Sequence, residues 1–183
     1  EITWSLVGSE MCIRDRAWMA MEWKKFGKPS ALGIATGMVA GLGTITPASG
    51  FVSPAAALVI GLSAGVICFY MVIFVKHKLK IDDSLDVFPV HGIGGILGTL
   101  LAGVFASTEL GLFSGYGFAK PEYTMLDQLG VQALGVVATF VYTALVTWVL
   151  LKLIGLFAPL RVTGDEETQG LDIALHEERG YDL

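Results

Sequence analysis

The fold is decided by the stretch Asp82-Asp83-Ser84-Leu85-Asp86-Val87-Phe88-Pro89-Val90-His91-Gly92-Ile93-Gly94-Gly95-Ile96-Leu97-Gly98. Its three acidic residues precede an apolar run, 87–108, in which His91 is the only ionisable side chain. A helix rises about 1.5 Å per residue, so this run is long enough to cross the hydrocarbon core of a bilayer, about 30 Å thick. We therefore predict a membrane-spanning helix with a histidine about one turn from its start. An ionisable group in that position marks, by default, a path for a substrate or a proton.

The composition of the whole chain indicates the same class. Hydrophobic residues make up 54% of the 183 positions and charged residues 16%, whereas soluble domains carry about 25% charged residues. The 23 glycines, combined with long apolar runs, are typical of closely packed transmembrane helices. A β-barrel would require alternating segments of about ten residues, which the sequence lacks. The predicted fold is an all-α integral membrane protein, a multi-helix transmembrane bundle.

Three regions follow from the apolar and charged runs. Residues 1–16 have no membrane-length apolar run and resemble translated adaptor sequence, so we interpret them as a non-native leader. Residues 17–161 form a partial membrane domain, in which 17–23 is the end of a truncated helix. Spans are predicted near 30–52, 54–75, 86–108 and 126–151. Residues 162–183 carry seven acids against one base and form an acidic tail.

Lysine and arginine placement predicts the orientation. Lysines precede the first span and follow the second, and basic residues also follow the fourth, whereas loop 107–127 holds only Lys120. Because basic residues favour the cytoplasmic side, we expect the lysine-rich loops and the tail to be cytoplasmic. No basic patch with interleaved aromatics is present, so nucleic acid is not an expected partner. Cys12 and Cys68 are isolated, which predicts neither a disulfide nor a metal cluster.

Glycines recur at intervals that allow helix backbones to approach each other. We interpret these as packing positions: Gly33, Gly37, Gly41, Gly61, Gly65, Gly94 and Gly98. Within the histidine-bearing helix, α-helical spacing would also place five residues on one face, as a narrow, mostly apolar stripe: Val87, His91, Gly94, Gly95 and Gly98.

The acidic cluster allows two interpretations. Asp82, Asp83 and Asp86 have the DDxxD spacing with which prenyl-transfer enzymes hold magnesium and diphosphate, since carboxylates four apart can share a cation on one helical face. The remaining spans offer no second acidic cluster. The favoured interpretation is a helix start on the cytoplasmic side, where Asp82, Asp83, Ser84 and Asp86 form a cap or loop and Ser84 or Asp86 is the capping residue.

A second polar position ends the first complete span. Thr46 and Pro47 lie in the sequence Gly43-Thr44-Ile45-Thr46-Pro47-Ala48-Ser49-Gly50. A helix broken here could present hydroxyls and carbonyls to a cation, or it could simply stop. The residues alone leave both readings open.

Three segments together resemble the ammonium transporter (Amt/Rh) family. Residues 82–106, DDSLDVFPVHGIGGILGTLLAGVFA, look like its tenth-helix signature, and residues 41–50, GLGTITPASG, resemble the end of its eighth helix. Residues 160–162 and 170–172 look like the start of its cytoplasmic tail. The resemblance runs from about residue 17 to residue 183. It implies an eleven-helix fold of inverted repeats, of which this chain holds the end of helix seven and helices eight to eleven.

The resemblance also implies a mechanism. Family members take up ammonium at an outer vestibule, deprotonate it and pass ammonia through a hydrophobic pore lined by two histidines. His91 matches the second histidine, Thr46 a pore-lining threonine near the outer site, and Val87 an apolar pore residue on the cytoplasmic side. We therefore expect a transporter rather than an enzyme, with no catalytic residue, metal or cofactor.

The resemblance further implies a homotrimer in the cell membrane, with a PII-type regulatory protein docking at the cytoplasmic face. The partner histidine lies in helices that this chain lacks, so we expect no pore from this chain alone. The alternatives to transport are an intramembrane prenyl-transfer enzyme that uses Asp82–Asp86, and an inactive membrane fragment.

Overall fold

The computed structural model describes residues 15–106, 118–120 and 122–178. This part of the chain is nearly all helical. The helices are α1 (15–26), α2 (Ala31–Ile45), α3 (Pro54–Ile73), α4 (Gly94–Phe105), α5 (Met125–Ile154), α6 (Gly164–Gln169) and α7 (Leu171–His176). A 3-10 turn, Thr46–Ala48, follows α2. A π-helical segment, Phe74–Lys78, continues α3, and another, Phe88–Ile93, leads into α4. Three predicted parts lie outside the described residues: leader residues 1–14, span residues 107–108 and tail residues 179–183.

Among the described residues, four helices are long and apolar enough to cross a membrane. They are Ala31–Ala48, Pro54–Lys78, Phe88–Phe105 and Met125–Ile154. Each overlaps one of the four predicted spans, as an all-α membrane protein requires. Residues 17–23, expected to end a truncated helix, lie within α1, which runs on to residue 26.

Local sequence explains where the first two complete spans begin. Ser30 precedes α2, and its hydroxyl accepts a hydrogen bond of 2.8 Å from the backbone N–H of Gly33. Ser53 precedes α3 and accepts a 3.3 Å bond from the N–H of Ala56. Pro54 occupies the first turn, where its missing N–H costs nothing. Both serines therefore satisfy amides that the helix start would otherwise leave unpaired.

The chain divides into two compact units, residues 1–136 and 137–183. In the first unit, one apolar cluster joins the α2–α3 link to α4. Its members are Ile45, Ala48, Val52, Ala56, Ala57, Ile60 and Ala102. A second cluster joins α1, α2, α3 and the π-helical segment 88–93 through Trp18, Ala40, Cys68, Phe69 and Val90. These clusters place the segment that carries His91 against α2 and α3.

Buried glycines mark where the helices of this unit cross most closely. A Cβ atom on Gly37 would lie 2.7 Å from Cβ of Trp18 in α1, and one on Gly94 would lie 2.9 Å from Oγ1 of Thr44. A Cβ on Gly98 would overlap the backbone carbonyl oxygen of Thr44. Helices α2 and α4 therefore meet backbone to backbone, which a larger residue at 98 would prevent.

In the second unit, residues 137–154 of α5 carry mostly exposed apolar side chains. The tail helix α6 begins with a capping box. The Thr163 hydroxyl accepts from the N–H of Glu166, and the Glu166 carboxylate accepts from the N–H of Thr163. Arg161 also contacts both carboxylate oxygens of Glu167 at 3.1 Å. The start of the tail is thus an ordered turn in which acidic side chains satisfy backbone amides.

The capping box predicts a pH dependence in the tail. The hydrogen bonds from the hydroxyl and the N–H of Thr163 hold the pKa of Glu166 below its ordinary value of 4.5. Since the folded state favours the ionised carboxylate, the stabilisation of α6 is present above pH 4.5 and is lost as the pH falls through the lowered pKa. Acid titration of the detergent-solubilised chain should shift the amide resonances of Thr163 and Glu166 together. Glu166→Gln should remove that transition; an unchanged transition would contradict the assignment.

The α2–α4 crossing predicts a contrast between two neighbouring glycines. Gly98→Ala should lower the free energy of unfolding by about 1–3 kcal/mol, because the added methyl group forces the two backbones apart. Gly95→Ala is the control, since a Cβ there meets nothing within 4 Å. It should leave stability unchanged or raise it by about 1 kcal/mol through helix propensity. Unfolding of the detergent-solubilised chain, followed by circular dichroism, measures both; equal stabilities of the two variants would refute the close crossing.

Candidate functional site

His91 lies in the π-helical segment Phe88–Ile93, near the start of the third candidate span. Pro89 has no N–H to donate to the helical ladder, and the next amide, that of Val90, bonds to the carbonyl of Asp86 at 3.0 Å. Single π-helical turns inside α-helices occur frequently at functional sites. The face prediction uses α-helical spacing on both sides of Pro89, and it therefore does not include this wider turn.

The π-helical turn changes which face His91 occupies. The predicted stripe joined Val87 and His91 to Gly94 and Gly98, and this prediction is wrong. Gly94 and Gly98 are buried against Thr44, whereas the His91 and Val87 side chains are exposed. A π-helix holds more residues per turn than an α-helix, so residues on either side of it no longer share an α-helical face. The glycines pack the helix, and His91 faces outward from that packing.

Gly43 of α2 lies beside His91. A Cβ atom on Gly43 would lie 3.8 Å from Nδ1 of His91, and 3.9 Å from the backbone oxygen of Val90. Glycine at 43 therefore leaves the edge of the imidazole uncovered. Sequence reasoning missed Gly43, although it is the glycine that precedes the Thr44–Pro47 segment.

Thr46 lies one turn beyond Gly43, at the start of the 3-10 turn. Thr46 follows the last residue of α2, three positions after Gly43. Its side chain is exposed, and its hydroxyl donates to the carbonyl of Leu42. That bond leaves the oxygen lone pairs of Thr46 available as acceptors. The three predicted pore residues, Thr46, Val87 and His91, are thus all exposed rather than buried in this chain.

The acidic cluster is a cap. The carboxylate oxygens of Asp83 accept from the N–H groups of Val87 and Phe88 at 2.9 and 2.8 Å. The predicted caps, Ser84 and Asp86, are wrong. The Ser84 hydroxyl instead donates to Asp82 at 3.2 Å, and Asp86 forms an ion pair with Lys76. Asp83 lies in the irregular segment 81–83, four and five residues before the two amides that it pairs at the start of the helix.

These contacts do not favour a magnesium site formed by Asp82, Asp83 and Asp86. The residues from Asp82 to Asp86 precede the helix, so Asp82 and Asp86 do not share a helical face. Asp83 is already bonded to backbone amides and Asp86 to a lysine. Among residues 15–106, 118–120 and 122–178, no group of three His, Cys, Asp or Glu side chains is placed to hold a metal ion.

Two buried polar residues, Thr44 and Glu22, were not predicted as part of the site. Thr44 is fully buried, and its hydroxyl donates to the carbonyl of Ala40 at 2.8 Å. Glu22 is also buried, and its carboxylate accepts from the N–H and hydroxyl of Ser30 at 2.7 and 3.1 Å. Each polar group is satisfied locally, as burial requires. Two sequence features could have indicated the contact between Glu22 and Ser30. They are an acid in the truncated helix and a serine just before a charge-free run.

Comparison with known proteins gives the class. The family model described as Ammonium Transporter Family matches residues 15–181. The chain is 48% identical over 168 residues to the putative ammonium transporter of Methanothermobacter thermautotrophicus, covering 91% of this chain and 40% of that protein. It is 41% identical over 182 residues to the ammonium transporter of Aquifex aeolicus, covering 98% and 42%. This chain therefore belongs to the ammonium transporter family.

Solved structures agree with this assignment. The fold is similar to a protein described as Sensor Amt Protein, with a TM-score of 0.79 and 29% identity, over 93% of this chain and 40% of that chain. It is also similar to Saccharomyces cerevisiae Mep2, with a TM-score of 0.74 and 31% identity, over 87% and 39%. The predicted multi-pass, all-α membrane fold is confirmed. The family is one of transporters, so the prenyl-transfer alternative is not supported.

The chain spans about 40% of the length of these relatives.

The cap assignment gives a prediction for two adjacent acids. Asp83→Ala should lower the free energy of unfolding by about 1 kcal/mol, because the first two amides of the histidine-bearing segment lose their acceptors. Asp82→Ala is the matched control and should change it by less than about 0.5 kcal/mol, as for exposed positions away from a cap. Chemical unfolding in detergent measures both values. A larger loss at Asp82 than at Asp83 would show that the cap is misassigned.

Proposed function

We propose that the full-length protein transports ammonium across the cell membrane, as ammonia, through a hydrophobic pore partly lined by this chain. The observation that carries the proposal is the placement of His91. It is an ionisable side chain of a candidate membrane span, and it lies exposed beside Gly43 while Gly94 and Gly98 are packed against α2. Membership of the ammonium transporter family supplies the substrate class.

Electrostatics favours passage of the neutral molecule. A charged group in the middle of a bilayer costs several kcal/mol, whereas a small neutral molecule avoids most of that cost. A neutral imidazole offers one N–H donor and one nitrogen acceptor, so it can bond to ammonia from either side. His91 would thus replace part of the hydration that ammonia loses on entering an apolar channel.

We assign Thr46 and Val87 to the two ends of this path. Thr46 would offer its hydroxyl lone pairs near the outer entrance, since its own proton is donated to Leu42. Val87, half exposed on the segment before His91, would supply an apolar wall on the cytoplasmic side. The remaining wall, including a second histidine beside His91, would come from the part of the relatives that this chain does not cover.

Orientation and partners form part of the same proposal. The lysines around α1 and after α3, with Lys152 in the last turn of α5 and Arg161 after it, support a cytoplasmic side for these loops and for the C-terminal tail. We propose a homotrimer as the full-length assembly. The ordered start of the tail at α6, with its row of exposed acids, is the proposed docking region for a PII-type regulatory protein.

The experiment uses a chimera in which residues 15–181 replace the matching segment of the Methanothermobacter relative. His91→Ala should reduce uptake of labelled methylammonium about tenfold, the factor for losing roughly 1.4 kcal/mol of hydrogen bonding at the barrier. Uptake is measured in an ammonium-transport-deficient host and divided by the amount of chimera in the membrane.

The matched control is His77→Ala, a second exposed histidine, which lies in the π-helical segment after α3. It should leave uptake at the parent level. Full uptake by the His91→Ala chimera at equal expression would refute the pore assignment. Chimera uptake that no variant alters, and that equals the empty host, would refute the transport function itself.

A further inference from the structure

An ion pair joins the π-helical segment after α3 to the loop that leads into the second π-helical segment. Nζ of Lys76, in the segment Phe74–Lys78, lies 2.8 Å from Oδ1 of Asp86, just before the segment Phe88–Ile93. The Asp86 side chain is 15% exposed and that of Lys76 is 38% exposed. The contact is ionic rather than an aligned hydrogen bond, and Oδ1 itself is shielded from solvent. Partial burial strengthens such a pair relative to one in open water.

The backbone at Asp86 makes this pair more than a surface contact. Asp86 has a φ angle of +56°, a left-handed conformation that aspartate tolerates better than most residues. Its N–H donates to the carbonyl of Asp83 at 3.2 Å, and its own carbonyl accepts from Val90 at 3.0 Å. The residue held by Lys76 is therefore the one where the chain turns into the histidine-bearing segment.

Pro89 and Val90 of that segment are buried and Asp83 caps it, but none of these contacts determines its direction. The buried Val90 anchors it in the apolar cluster with Phe69 and Ala40. Asp83 caps it, but only through residues of the same loop and helix. An apolar contact is non-directional, so Val90 does not set the direction of the π-helical turn between Asp86 and the crossing of α4 with α2 at Gly94 and Gly98. The Lys76–Asp86 pair ties the start of the segment to the π-helical continuation of α3, while the crossing at Gly94 and Gly98 holds its other end.

We propose that Lys76 and Asp86 are positioning residues that hold His91 against Gly43. The pair acts through the backbone of the π-helical segment, and neither side chain touches the substrate. Loss of either charge leaves the helix folded, because Val90 and the glycine crossings remain. The imidazole then samples other directions. The consequence for transport rests on the function proposed above; the consequence for the His91–Gly43 geometry does not.

The first test measures that geometry by disulfide trapping. Gly43→Cys and His91→Cys are introduced together in a Cys68→Ala background of the same chimera, and copper–phenanthroline oxidation is followed by loss of thiol labelling. The parent pair should cross-link, since a Cβ added at Gly43 would lie 3.8 Å from Nδ1 of His91, which brings side chains at the two positions into van der Waals contact. Lys76→Gln and Asp86→Asn should each slow cross-linking about fivefold, and the double variant no further, as expected for partners of one pair. Asparagine also tolerates the left-handed conformation.

Three controls separate positioning from general damage. Lys76→Arg keeps the charge and should retain the parent rate. Lys78→Gln and Asp82→Asn remove neighbouring exposed charges and should also retain it. Failure of the parent pair to cross-link, or an equal slowing by Lys78→Gln, would overturn the proposal. So would additive slowing in the double variant, because independent sites add.

The second test connects position to transport. In the chimera with native His91, Lys76→Gln should lower methylammonium uptake about fivefold and Lys76→Arg should restore it. In the His91→Ala chimera, Lys76→Gln should have no further effect. A full additional loss in that background would show that Lys76 acts independently of His91. If cross-linking responds as expected while no chimera transports, the positioning proposal stands and the proposed function fails.

Discussion

The backbone contact between Gly98 of α4 and Thr44 of α2 is the constraint on which the first unit depends. It brings two helices closer than any pair of larger residues would allow, and it buries the Thr44 hydroxyl on its own helix. The apolar clusters then form on either side of this crossing, one towards α3 and the other towards α1. Since little hydrophobic force acts between helices in lipid, close van der Waals contact is a main source of such packing.

Secondary structure and class were accessible from the sequence because they depend on local patterns. Charge-free runs of membrane length, serine caps and Pro54 at a first turn define the spans without tertiary information. The family resemblance rested on ordered motifs around His91 and Thr46, and the family match bears it out. In lipid, backbone N–H and C=O groups must be hydrogen-bonded within the protein, and an α-helix pairs them within one segment.

The details of the site were not accessible in the same way. Whether Ser84, Asp86 or Asp83 caps the helix depends on loop conformation, and the left-handed backbone of Asp86 decides it. The face occupied by His91 was predicted wrongly because a fixed 3.6-residue repeat was carried across Pro89. Glu22 in α1 was overlooked because its partner, Ser30, lies across a turn. Each miss concerns a contact between segments rather than a preference within one.

The wider helical turn at Phe88–Ile93 has a consequence for how this helix tolerates changes in length. Asp83 at one end and Gly98 at the other are both held in place, by a cap and by a helix crossing. The wider turn takes up the residue that a regular α-helix between those two points would not accommodate. Insertions or deletions in this interval would therefore be absorbed at His91 first. His91, the residue with the proposed chemical role, therefore lies in the part of the helix that adapts to changes in chain length. Small changes in length there would rotate its side chain.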